Sequence, residues 1–332
     1  RRPLDGRWIY VDGQSKIDLR INSIATLFGE DLTLRLLDRI SSLSSVDGLG
    51  MRQEDLGNLT AQLSSPSGLI LVTGPTGTGK TTTLYACLEY LNNGQRKINT
   101  LEDPIEYLLE GVRQSQIHLK IGIDFAELLR NILRQAPDVI MIGEIRDKAT
   151  MQHALHYSET GHLVVATLHA TNSVQAIERI VNLFPEGERK QTLGDISMNL
   201  AGIIAQRLVP AVEQKRVAAV EVLLRTPYIR NLIARDELHE IKDSMNRGQE
   251  PGLQSFDQHL YELVGKGSIT LDMALRYADS ATDLKLKAKF SDTRSESPLS
   301  MPEQKSEASP QQETELTFKS SGNSFSDSDL TD

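Results

Sequence analysis

The chain has 332 residues, 39% of them hydrophobic, enough for two domains and a tail, and its mean hydropathy of −0.30 fits a water-exposed globular protein. Its net charge of −9 argues against a general nucleic-acid binder, and its single cysteine, Cys87, rules out an internal disulfide or a four-cysteine zinc site and suits a reducing cytosol. No apolar stretch approaches the roughly 20 residues that span a bilayer.

The chain opens Arg1-Arg2-Pro3 without a methionine and reads as a fragment, so the lack of a visible signal peptide carries little weight. Residues 1–40 read as the end of a small β-containing domain. Arg7–Val11 is a strand candidate, Asp12-Gly13 is a turn signal, and Ile17–Ile21 and Leu32–Leu36 alternate apolar and polar residues as half-buried strands do. That alternation puts Arg20 and Arg35 on the polar faces of two strands. Residues 41–52 are small and polar, a linker in composition, and a short helix over Gln53–Gln62 follows.

Gly68–Thr73 is a short apolar run of the kind a buried parallel strand uses. It runs into Gly74, Pro75, Thr76, Gly77, Thr78, Gly79, Lys80 and Thr81, and Thr82 onward reads as a helix. Strand, glycine loop and helix form the context in which G-x-x-x-x-G-K-T is a phosphate site. Glycines let successive backbone N–H groups converge on an anion, and the helix N-terminus adds free donors. Lys80 would reach the β- and γ-phosphates, and the Thr81 hydroxyl would hold Mg²⁺. The ligands expected are therefore ATP and Mg²⁺.

The next strand, Lys97–Leu101, ends in Glu102-Asp103-Pro104-Ile105-Glu106-Tyr107. Open α/β sheets bind ligands at such strand ends, where Glu102 could polarise the water that attacks the γ-phosphate. Alone, these carboxylates would be polar turn residues; the upstream phosphate loop gives them a role. Phe125–Gln135 reads as a helix with Leu128, Leu129, Ile132 and Leu133 on one face. Val139–Ile142 then reads as a buried strand ending at Gly143-Glu144, where the Glu144 carboxylate would hold Mg²⁺ directly or through water. Met151–Glu159 is helical in pattern. His162 and His169 bracket another buried strand, Leu163–Leu168, and are read as γ-phosphate sensors or couplers to a neighbouring subunit. The remaining histidines, His118, His153, His156, His239 and His259, show no zinc spacing and are read as structural or surface groups.

Beyond Pro185 the pattern is mainly helical. Glu188–Ala205 has apolar residues at helical spacing, Val217–Leu224 looks like a strand, and Thr226-Pro227 opens a helix through Ile233. Further helices are expected over Glu237–Met245, Ser255–Val264 and Leu271–Tyr277. Residues 291–332 hold nine Asp/Glu against three Lys/Arg with few apolar groups, and read as a disordered, Ser-rich acidic tail.

Four ordered boxes now carry a recognisable pattern: GPTGTGKTTTL (74–84), LEDPIEY (101–107), DVIMIGEIRD (138–147) and TGHLVVATLHATN (160–172). Together they resemble the Walker A, Asp, Walker B and His boxes of the secretion ATPases of type II secretion and type IV pili, over about residues 5 to 290. Ala176–Pro185, Thr226–Ile233, Gln254–Gln258 and Ile269–Asp279 resemble the retraction-type branch of that family, the PilT/PilU group. The stretches Asp5–Asp38 and Leu84–Asn92 resemble its assembly and secretion branch, whose four-cysteine loop is missing here.

The resemblance implies an α/β fold: a small, truncated, PAS-like α+β N-terminal domain (1–40), a linker (41–52), a RecA-like P-loop core (53–210) and a helical C-terminal subdomain (211–290). It implies ATP bound between the two domains, with Arg20 and Arg35 reaching the phosphates on closure. It also implies a homo-hexameric ring, cytoplasmic and peripheral at the inner membrane, working with a membrane platform protein and a paralogous ATPase. The implied activity is ATP hydrolysis driving pilus retraction. Alternatives are a secretion or pilus-assembly motor, and an accessory subunit that binds nucleotide, turns it over poorly and works by docking on a paralogous motor.

Overall fold

A computed structural model describes residues 3–12, 15–37, 45–213, 216–248 and 252–295. Gly13 of the expected turn, residues 38–44 of the expected domain end and linker, and residues 296–332 of the expected tail lie outside the described residues. Residues 1–289 form one unit; of the second unit, 290–332, the structure describes only the end of a helix.

Three strands come first: β1 (Leu4–Asp12), β2 (Ser15–Thr26) and β3 (Gly29–Leu37). They pair antiparallel in the order β1-β2-β3, and Arg20 of β2 stands opposite Arg35 of β3. Among the described residues this region holds strands and no helix.

The main unit then alternates: α1 (Gln53–Ser64), β4 (Gly68–Thr73), α2 (Lys80–Leu91), β5 (Ile98–Glu102), β6 (Arg113–Gln116), α3 (Phe125–Ile132), β7 (Val139–Ile142), α4 (Lys148–Glu159), β8 (Leu163–Leu168), α5 (Ser173–Val181) and α6 (Arg189–Asn199). It continues with β9 (Leu200–Pro210), β10 (Arg216–Leu224), α7 (Pro227–Ala234), α8 (Leu238–Arg247), β11 (Leu253–Gln254), α9 (Phe256–Gly265), α10 (Leu271–Tyr277) and α11 (Ala281–Ser295).

These strands form one sheet in the order β11-β10-β9-β4-β8-β7-β5-β6. From β9 to β6 every pairing is parallel, and β10 and β11 add antiparallel strands at one edge. Helices cover both faces, which is why the parallel strands read as unbroken apolar runs. All six residues of β4 are buried. Leu69 and Leu71 join the core under α3 to α8, whereas Ile70 and Val72 join the core under α1 and α2. Val46 and Leu49, inside the stretch expected to be a linker, are buried in this second core. No helix of the described residues is long and apolar enough to cross a membrane.

Two expectations fail here. The helical reading of Glu188–Ala205 holds only to Asn199; Leu200-Ala-Gly-Ile-Ile-Ala205 is strand β9, inserted beside β4. A fully buried apolar run carries no periodicity that separates helix from strand, and a place next to the central strand decided it. A boundary at residue 210 also fails, because β10 pairs with β9 and continues the same sheet.

Candidate functional site

The sheet brings the C-terminal ends of β4, β5, β7 and β8 to one edge, where a cavity of about 480 Å³ opens. Its floor is the β4–α2 loop. A Cβ on Gly74 would come within 2.5 Å of the Gln206 carbonyl on β9 and 2.6 Å of Thr78 Oγ1, so only glycine lets the chain turn there. Gly79, with φ +91°, is the N-cap of α2 and supplies no capping side chain, which leaves the helix's first N–H groups for an anion. The Thr78 hydroxyl donates to the Pro75 carbonyl at 2.9 Å, and Lys80 Nζ donates to the carbonyls of Gly74 and Pro75, each at 2.9 Å. Burial lowers the Lys80 ammonium pKa, and nearby Glu144 partly restores it. Thr76, Gly77, Lys80, Thr81 and Thr82 all face the cavity.

Glu102, at the tip of β5, is buried yet lines the cavity. Its Oε1 accepts from Thr100 Oγ1 at 2.7 Å and Gln114 Nε2 at 3.1 Å, and its Oε2 accepts from the Tyr85 hydroxyl. Burial, then the bond to Glu102, pushes the Tyr85 phenol far above its ordinary range, so it remains a donor. Glu144, just past β7, is held from two sides. Its Oε1 lies 2.9 Å from His169 Nε2, and its Oε2 accepts from Arg146 Nε at 2.7 Å and Nη2 at 2.6 Å. Burial and then the charge of Lys80 lower the His169 pKa, while the paired Glu144 carboxylate works against them. The loop carrying His169 is fixed by Thr73, whose hydroxyl donates to the Ala170 carbonyl at 2.8 Å and accepts from its N–H at 2.9 Å.

Lys80, Thr81, Thr82, Glu102, Glu144 and His169 therefore converge. Other expected site residues do not. His162 precedes β8, at the end of that strand away from the cavity, and its Nδ1 lies 3.1 Å from the Tyr157 carbonyl and 3.3 Å from Thr160 Oγ1. A parallel strand has one end at the phosphate loop, so two histidines that bracket it cannot both reach the same cavity. Arg20 does not line the cavity; it forms an ion pair with Glu106, which does, and its Nε is buried without a partner. Arg35 is exposed and lies outside the lining.

Sequence reasoning missed the partners that hold the carboxylates: Tyr85, Thr100 and Gln114 around Glu102, and Arg146 beside Glu144. Arg146 sits two residues after Glu144, a visible signal, but Tyr85 and Gln114 lie on other elements and give none. Phe125, Leu208 and Arg216 also line the cavity and had no expected role there. His259 keeps its structural reading: it is buried, and its Nδ1 accepts the Val220 N–H at 2.9 Å.

The profile of the family described as "Type II/IV secretion system protein" matches residues 1–262. Over 228 residues the chain is 49% identical to the type IV pilus ATPase PilU of Pseudomonas aeruginosa, covering 67% of this chain and 60% of that protein. It is 47% identical over 209 residues to the putative type II secretion system protein E of Escherichia coli K12, covering 63% of this chain and 41% of that protein. The chain thus spans less than two thirds of the length of these relatives. Among solved structures, the pilus retraction motor PilT with bound ADP superposes with a TM-score of 0.74 at 34% identity, covering 86% of this chain and 80% of that one.

Proposed function

The chain belongs to the type II/IV secretion system protein family, and on that premise we propose that it hydrolyses ATP to drive type IV pilus retraction. One observation carries this reading: a phosphate loop, Lys80 and Thr81 share a single cavity with Glu102, Glu144 and His169. The triphosphate lies along the loop, its anionic oxygens met by α2's free N–H groups and by Lys80, which exchanges two carbonyls for phosphate. Glu102 orients a water in line with the γ-phosphorus. The new bond joins water oxygen to that phosphorus, the bond to the bridging β,γ-oxygen breaks, and ADP leaves with phosphate carrying the water's protons. His169, paired with Glu144 at 2.9 Å, registers the state of the γ-phosphate and passes it to the loop before α5.

Magnesium fits the donors present. The Thr81 hydroxyl and the Glu144 carboxylate are hard oxygen ligands, and among the described residues no cluster of three or more His, Cys, Asp or Glu forms a cage of its own. An ion that keeps its waters and arrives with the phosphates suits such a site; bound there, it neutralises charge on the phosphate oxygens.

PilU is named a type IV pilus ATPase, and the superposed PilT structure is titled a pilus retraction motor with ADP. Those names favour retraction; the homo-hexameric ring and the cytoplasmic place at an inner-membrane platform belong to the same reading and rest on the family resemblance of the four boxes. A secretion or assembly motor is the second reading, favoured by the 47% identity to type II secretion protein E. Phosphate release by the purified chain tests the chemistry: Lys80→Ala is expected to reduce turnover by at least about 100-fold, and turnover that survives this change overturns the ATPase reading. The two directions separate genetically. Loss of the gene yields hyperpiliated cells for a retraction motor, and bald cells or blocked export for an assembly or secretion motor.

A further inference from the structure

Glu102 is held more tightly than orienting a water by itself requires. A carboxylate offers about four lone-pair sites. Thr100 and Gln114 occupy both sites of Oε1, and the Tyr85 hydroxyl takes one site of Oε2. One acceptor site remains, on Oε2, and Glu102 lines the cavity.

We propose that Tyr85 is a positioning residue for ATP hydrolysis: its hydroxyl fixes the Glu102 carboxylate so that its one remaining acceptor site receives the attacking water. This inference rests on the ATPase reading above.

Three features single out Tyr85 among the three donors. It is on α2, the helix whose first residues, Lys80 and Thr81, meet the phosphates, so one rigid element sets both the phosphates and the carboxylate that addresses them. Thr100, by contrast, lies on the same strand as Glu102 and cannot report on the phosphate loop. Tyr85 is itself fixed. Its ring lies 4.0 Å from that of Tyr107, centroid to centroid, and Gln114 Nε2 is 3.4 Å from its oxygen and 3.0 Å from the Tyr107 carbonyl. Finally, Tyr85 is almost wholly buried although it borders the cavity, so its hydroxyl bond to Glu102 is largely shielded from solvent.

The test is steady-state phosphate release by the purified chain, combined in a double-mutant cycle. Tyr85→Phe, which deletes one oxygen from a packed ring, is expected to lower kcat about 10- to 100-fold with KM for ATP within about twofold. In a Glu102→Gln background the same change is expected to cost nothing further, because the group it positions is already disabled. An unchanged kcat, a loss confined to KM, or an equal loss in both backgrounds overturns the proposal. Tyr85→Met, which also removes the hydroxyl but fills the site with a flexible apolar side chain, is read by the same kcat and KM split should Tyr85→Phe not fold. Absence of phosphate release from the unmodified chain removes the ATPase reading and this inference with it. Normal release together with a silent Tyr85→Phe removes this inference alone.

Discussion

Glu221 shows how one buried group can serve the site without touching it. It lies on β10 and accepts from Ser173 N–H at 2.7 Å and Ser173 Oγ at 2.6 Å, where α5 begins just past His169. Burial is the main cause that pushes its carboxyl from the ordinary 4.5 up to about 7. The folded chain therefore binds this proton more tightly than the unfolded chain does. The resulting stabilisation is complete below about pH 4.5 and is lost progressively as pH rises to about 7. Glu221→Gln removes that dependence. Unfolding free energies of the two proteins between pH 4.5 and pH 7.5 are expected to diverge with rising pH, the unmodified chain losing on the order of 3 kcal/mol relative to the variant. Parallel pH profiles from chemical denaturation would rule this out.

Helix α7 carries the segment that resembles the retraction branch, and its start is a local matter. Thr226 in extended conformation accepts the Ile229 N–H at 3.2 Å, and Pro227 occupies the first helical position, where no N–H is needed. Ile229, Leu232 and Ile233 then reach the core, leaving Tyr228, Arg230 and Asn231 exposed. Thr226→Ala is expected to cost about 1 kcal/mol in urea denaturation with phosphate release per folded molecule unchanged. A loss of turnover without a loss of stability would show that this helix start acts on the site and not only on the fold.

Across the whole molecule, the Arg20–Glu106 ion pair ties β2 to the loop that follows Glu102. Both side chains are about a quarter exposed, so the pair adds roughly 1 kcal/mol or less to stability. Its interest is the competition it sets up: Arg20 is held by a carboxylate that lines the phosphate cavity, and its Nε is left unpaired. A triphosphate offers Arg20 a stronger anion than Glu106 does. Arg20→Ala is expected to lower kcat by at least about tenfold, well within the range known for arginines at phosphoryl transfer, while Glu106→Gln leaves kcat within about threefold. Equal losses in the two variants would reduce the pair to a structural tie.

The sequence by itself determined the phosphate loop, the strand ends bearing Glu102, Glu144 and His169, and most of the elements around them. These are local signals: a glycine loop between strand and helix, apolar runs ending in a carboxylate, and Thr226-Pro227 before an amphipathic turn. Tertiary structure alone decided that β9 is a strand beside β4, that His169 and not His162 faces the cavity, and that Tyr85 and Gln114 hold Glu102. The reason is that strand order and hydrogen-bond partners are fixed by packing between segments remote in the chain. No spacing in the sequence records which end of one element meets which face of another.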